Sequence, residues 1–140
     1  MRWLLIFALS LHGLVVGGLS VAGLLHEWRE FAAWMVAAAI VAPIAAFNLK
    51  RMPMANGFMI GLLGGLLKSA LVLALFDTYL ANNPIAEAQM TADQIGYDAR
   101  VYYGIITPPI SMAWGLFVAV GTLVVFKLRK PPPPGGSGLP

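Results

Sequence analysis

The sequence predicts an all-α integral membrane protein, a four-helix transmembrane bundle with short helical segments on its outer side. Three observations carry that prediction. Hydrophobic residues make up 59% of the 140-residue chain and charged residues only 11%, a balance that a soluble domain of this size could not cover with polar surface. Four apolar runs, at about residues 3–25, 31–49, 58–80 and 103–126, are each long enough to cross a hydrocarbon core of about 30 Å. The charged residues, finally, are sorted by sign between alternate connections.

That sorting matters more than the net charge of +3. Arg2, Lys50, Arg51, Lys127, Arg129 and Lys130 fall in segments without acids, whereas Glu27, Glu30, Asp77, Glu87, Asp93 and Asp98 lie in or beside the first and third connections. Because cytoplasmic loops collect Lys and Arg, the pattern predicts an inner (cytoplasmic) membrane protein with both termini and the Leu49 to Gly57 turn on the cytoplasmic side. The basic residues are expected to touch lipid headgroups, not nucleic acid. The chain has no cysteine, which removes disulfides, thiolate metal sites and cysteine nucleophiles.

Residues 3–25 open on Arg2-Trp3 and close on His26-Glu27-Trp28, so each boundary carries an interfacial aromatic. The run is longer than a secretory signal core and lacks a small-residue cleavage site, so it is read as a retained helix. Gly13, Gly17, Gly18, Ser20 and Gly23 supply small residues for close packing. Residues 31–49 are rich in Ala and contain Pro43, which removes a backbone donor and predicts a bend. The short turn that follows makes the second and third helices antiparallel neighbours. After Leu80, Asn83-Pro84 reads as an N-cap with proline at the first helical position, and Thr91 to Gln94 as a capping box; one or two short helices are expected. Thr107-Pro108-Pro109 predicts either a kink in the fourth helix or its start. Residues 131–140, rich in Pro and Gly, read as an extended and flexible tail outside the 1–130 domain.

The third run carries the chemistry. Gly57, Gly61, Gly65 and Ser69 recur at four-residue spacing, Gly64 lies beside them, and Lys68 falls on the same face near the middle of the 58–80 span. A charge at that depth is costly and marks an ion path, a ligand counter-charge or a pairing surface. The plainer alternative is a lysine whose stem lies on apolar groups while its amine reaches an interface. No carboxylate of this chain is expected at the same depth, because Asp77 lies roughly 13 Å further along and on the opposite face. The partner of Lys68 is therefore expected on another chain, on a lipid or cofactor phosphate, or among backbone carbonyls, or else the amine is neutral. His12, at a depth similar to Lys68 and next to Ala8 and Gly13 on its helix, has room for a flat macrocycle, which makes it the candidate ligand of a haem or a chlorophyll-type pigment. Its plainer reading is a satisfied structural histidine. No metal motif, spaced carboxylate pair or nucleophile with a base appears, so the chain is not expected to be an enzyme.

These readings predict an accessory or assembly subunit of a larger energy-transducing complex of the inner membrane, respiratory or photosynthetic, that packs on other membrane subunits through its Gly-rich first and third helices. The alternative is a small homo-oligomeric transporter or channel with Lys68 in its path. The pattern Gly65-Leu-Leu-Lys68 followed by an aliphatic run resembles the small four-helix subunit I of bacterial ATP synthase operons. The outer connection here is longer, and the polar residues of that family's second helix have no counterpart, so no family is assigned.

Overall fold

In the computed structural model, which describes residues 2–90 and 96–129, the four apolar runs are helices long and apolar enough to cross a membrane: Trp3–Val21, Trp28–Asn48, Pro53–Ala74 and Ala99–Leu128. The first is built from α1 (Trp3–Ser10) and α2 (His12–Val21). We number the others α3 (Trp28–Asn48), α4 (Pro53–Ala74), α5 (Phe76–Asn82), α6 (Pro84–Gln89) and α7 (Ala99–Leu128). The expected capping box at Thr91 to Gln94 and the tail 131–140 lie outside the described residues.

The break between α1 and α2 at Leu11 was not expected, and side chains explain it. Ser10 Oγ donates back to Ile6 O (2.8 Å), and His12 Nδ1 lies 2.7 Å from Leu9 O. Both compete with amides for helix carbonyls, which tightens or bends the ladder. The span then ends at Val21, short of the expected residue 25, because Gly23 is left-handed (φ 72°). Its N–H returns to Ser20 O and that of Leu24 to Leu19 O, both at 3.0 Å, the paired bonds of a glycine-terminated helix. Gly23→Ala is expected to cost about 1–2 kcal/mol, since an L side chain is disfavoured at this φ. The new methyl would also stand 2.6 Å from Asn82 O. Thermal unfolding of the two proteins in one detergent checks this.

Asparagines from α5 and its end finish the job for α2. Asn82 Nδ2 donates to Val21 O and Asn83 Nδ2 to Ser20 O, both at 2.9 Å, so Val21 O at the helix end is paired and Ser20 O gains a second donor beside the Gly23 amide. Asn83 was expected to cap α6. The helix does begin at Pro84, yet the Asn83 side chain makes no cap and bonds Ser20 O and Tyr79 O instead.

The third apolar run is shifted toward the N-terminus. α4 starts at Pro53, with proline in its first turn after a left-handed Met52, and stops at Ala74; residues 76–82 form the separate α5. α7 starts earlier than residue 103. The Asp98 side chain accepts from the amides of Arg100 (3.0 Å) and Val101 (3.1 Å) and caps it. The helix therefore continues through Pro108 and Pro109 and does not begin there, with Thr107 Oγ1 bonded to Tyr103 O (2.7 Å) beside the missing amides. α3 likewise carries Pro43 inside its length.

α4 is the central helix, and its glycines serve two neighbours where one common face was expected. Gly57, Gly61 and Gly65 meet α7: a Cβ on each would stand 2.7 Å from Thr122 Oγ1, 2.8 Å from Gly115 Cα and 2.7 Å from Ser111 Oγ. Gly64 faces the first span, where Gly13 lies directly against its backbone and a Cβ on Gly17 would be 3.2 Å from Lys68 Cα. Toward the basic end of the bundle Ile6, Ala38, Val41, Ala45, Leu49, Ile60 and Val118 form one core; toward the other end Val21, Val72, Phe76, Tyr79 and Tyr103 form a second.

Candidate functional site

Lys68 lies six residues before the end of α4 at Ala74, roughly 9 Å from that end and roughly 22 Å from Pro53. It is thus in the C-terminal third of α4 and not at the middle of the helix. Glu30, in the first turn of α3, reaches it, with Nζ and Oε1 2.8 Å apart. The expectation that no carboxylate of this chain shares its depth is overturned, for two reasons. α4 ends early, which raises Lys68, and α3 begins at Trp28, which brings Glu30 inside the helix.

The remaining bonds tie in the other two spans. Ser20 Oγ of α2 donates to Glu30 Oε2 (3.3 Å), and Lys68 Nζ donates to the Tyr103 hydroxyl of α7 (3.1 Å). All four candidate spans therefore meet at one polar node. Only 13% of the Lys68 side chain and 26% of that of Glu30 are exposed, so the pair is largely removed from water and each charge depends on the other. The Glu30 carboxylate also benefits from the N-terminal end of the α3 dipole. Behind the node, the rings of Phe76, Tyr79 and Tyr103 pack tilted against one another at centroid distances of 5.9 to 6.3 Å. Burial pushes the Tyr79 phenol above its ordinary value. Asp77 stays apart from Lys68, as expected, and pairs with Arg100 (2.9 Å) at the exposed surface, where such a pair contributes little.

The node stands at one end of a groove of about 400 Å³. α4 supplies its floor through Gly65, Lys68 and Ser69, while α3 (Phe31, Trp34, Met35) and α7 (Ile110, Trp114, Phe117) supply apolar walls. Phe31, Ile110 and Phe117 are exposed at the rim, so the groove opens sideways. A smaller cavity of about 150 Å³, bordered by His26, Tyr79, Asn83 and Gln89, meets Glu30 from the other side.

His12 is not among the residues that line this groove, although it packs against one of its walls. Its ring is edge-on to Trp34 (centroids 5.6 Å apart), and Nε2, buried and without a hydrogen-bond partner, rests on the bare backbone of Gly64. A methyl added at Gly64 would be 2.5 Å from the imidazole, so α4 covers the edge that a metal would need. A haem or chlorophyll-type macrocycle does not fit there. Among the described residues no group of three or more His, Asp or Glu is placed to hold a metal ion.

Sequence reasoning singled out Lys68 and the glycines but missed Glu30, Tyr103, Ser20 and Trp34. One signal was present: Tyr103, Thr107, Ser111 and Gly115 repeat every four residues and are all buried, which matches the α4 glycines in the antiparallel sense. Glu30, next to Phe31 at the edge of a hydrophobic run, gave no such sign. Comparison with family models, curated proteins and solved structures returns no match. Fold and site therefore define the class alone: a helical protein with four candidate membrane-spanning helices, joined at one end by an internal ion pair beside a lateral groove.

Proposed function

We propose that the chain is an integral protein of the inner membrane, both termini cytoplasmic, that serves as an accessory subunit of a larger energy-transducing complex of respiratory or photosynthetic type. The observation that carries this reading is the close backbone packing of α4 against α2 and α7. Gly13 on Gly64, Gly61 on Gly115 and Gly65 on Ser111 bring backbones together where a path between the helices would have to run. Lys68 is held between Glu30 and Tyr103, which suits a rigid scaffold better than the alternative transporter with Lys68 in its path. The orientation rests on charge sorting. Arg2, Lys50 and Arg51 border one cavity at the same end where Arg129 Nη1 bonds Ala46 O (3.2 Å), while Glu27, Glu30, Asp77 and Asp98 gather at the other.

Gentle solubilisation from native membranes, followed by mass spectrometry and a visible to near-infrared spectrum of the same particle, tests the reading. Stoichiometric co-purifying subunits are expected; a homo-oligomer without other subunits would contradict it. Topology is checked separately with Glu87→Cys and Met54→Cys, both at exposed positions of a cysteine-free chain. An impermeant thiol reagent is expected to label only the first from outside, and labelling of only the second would reverse the orientation.

A further inference from the structure

The lateral groove has a chemistry that the scaffold role does not use. The Lys68 ammonium has three hydrogens, of which Glu30 and Tyr103 engage two; the Tyr103 hydroxyl accepts from Lys68, and its own hydrogen has no partner among the described residues. Both spare groups are donors, so they match a guest that presents an acceptor. Glu30 cancels the charge of Lys68, and no other cation lines the groove, so a phosphate head would meet a carboxylate with no net positive charge to hold it. Phe31 and Trp34, within one turn of Glu30 on α3, offer flat apolar surface at that same end. Ile110, Trp114 and Phe117 continue the wall away from it, and the open side leads outward between α3 and α7. The volume, about 400 Å³, is in the range of small-molecule sites and holds a single ring with the start of a chain.

We infer that this groove binds a neutral, carbonyl-bearing amphiphile of the quinone class, its ring carbonyl accepting from Lys68 Nζ and the Tyr103 hydroxyl and its apolar tail leaving along α7. The site needs only that the helices lie in a membrane. It stands or falls separately from membership of a complex, since the isolated chain suffices for the test.

The full chain in nanodiscs of phosphatidylcholine, titrated with radiolabelled decylbenzoquinone, is expected to bind about one equivalent saturably above empty discs. Tyr103→Phe keeps the ring packing but removes the hydroxyl donor, and should weaken binding about tenfold. Ala113→Trp, at an exposed rim position, fills the groove and should abolish it. Decylbenzene, which has the tail without carbonyls, should not compete. No saturable excess, undiminished binding by Ala113→Trp, or equal competition by decylbenzene would each overturn the inference. Displacement by added phosphatidylglycerol would also overturn it and make the groove a lipid seat. Should Tyr103→Phe lose its helical circular dichroism, Ala113→Trp decides alone, because its change lies outside the core.

Discussion

Lys68→Met is expected to lower the stability of the isolated, membrane-inserted chain by about 3 kcal/mol, because it strands the Glu30 carboxylate between the helices. Two effects work against that loss. Removing a charge from a span lowers its insertion cost by roughly 2.5–3.5 kcal/mol on the translocon scale. Glu30, 26% exposed, can also relax by taking a proton or turning toward the smaller cavity. The first effect acts on insertion and leaves the packing of inserted helices unchanged, so an unfolding titration in mixed micelles isolates the second. Combining Lys68→Met with Glu30→Gln should recover most of the loss, since replacing both partners leaves no unpaired charge. A double-mutant cycle on the four proteins is expected to give a coupling of about 2–3 kcal/mol. Had the partner of Lys68 belonged to another chain, the single variant alone would fold at least as well as the parent.

Gly13→Ala should be as damaging, although it adds one methyl group. Its Cβ would fall on the backbone of Gly64, where no side chain can turn away, so α2 and α4 would have to separate. Overpacking of this kind costs about 3 kcal/mol when the neighbour is rigid. Separation would also disturb the node, because α2 carries Ser20 and α4 carries Lys68. Gly18→Ala provides the contrast on the same helix. Nothing lies within 4 Å of its added methyl, and alanine is favoured over glycine in a helix by roughly 0.5–1 kcal/mol. Thermal unfolding should therefore move down for Gly13→Ala and slightly up for Gly18→Ala. Equal effects would mean that the two spans do not touch at Gly64.

The contrast between those glycines marks where the sequence stops being informative. Hydrophobic runs are a one-dimensional property, so the number and rough placement of the four helices long and apolar enough to span a membrane could be read directly. Helix ends were harder. Hydropathy is blind to the break at Leu75, since Leu75 and Phe76 remain apolar, and to the turn at Leu11, which depends on what Ser10 and His12 bond. Those few residues decided the reading of the site. Placing the end of the third helix at Leu80 put Lys68 at mid-depth and hid its match with Glu30. The glycine spacing identified a helix that packs closely, but periodicity alone could not divide it between α7 and α2. His12 looked roomy because its neighbours on its own helix are small; the backbone of α4 fills that room, and only tertiary structure supplies it.

A direct distance between the two charged groups in a bilayer tests the internal ion pair with least inference. In lipid vesicles holding the chain alone, labelled with ¹⁵N at lysine and ¹³C at the side-chain carboxyl of glutamate, solid-state nuclear magnetic resonance should detect strong dipolar coupling between Lys68 Nζ and the Glu30 carboxylate. A contact of 2.8 Å between nitrogen and oxygen predicts it, and the signal should vanish in Glu30→Gln. Coupling of Lys68 to lipid phosphorus in its place, or none to Glu30, would contradict the pairing on which the four-helix node is built.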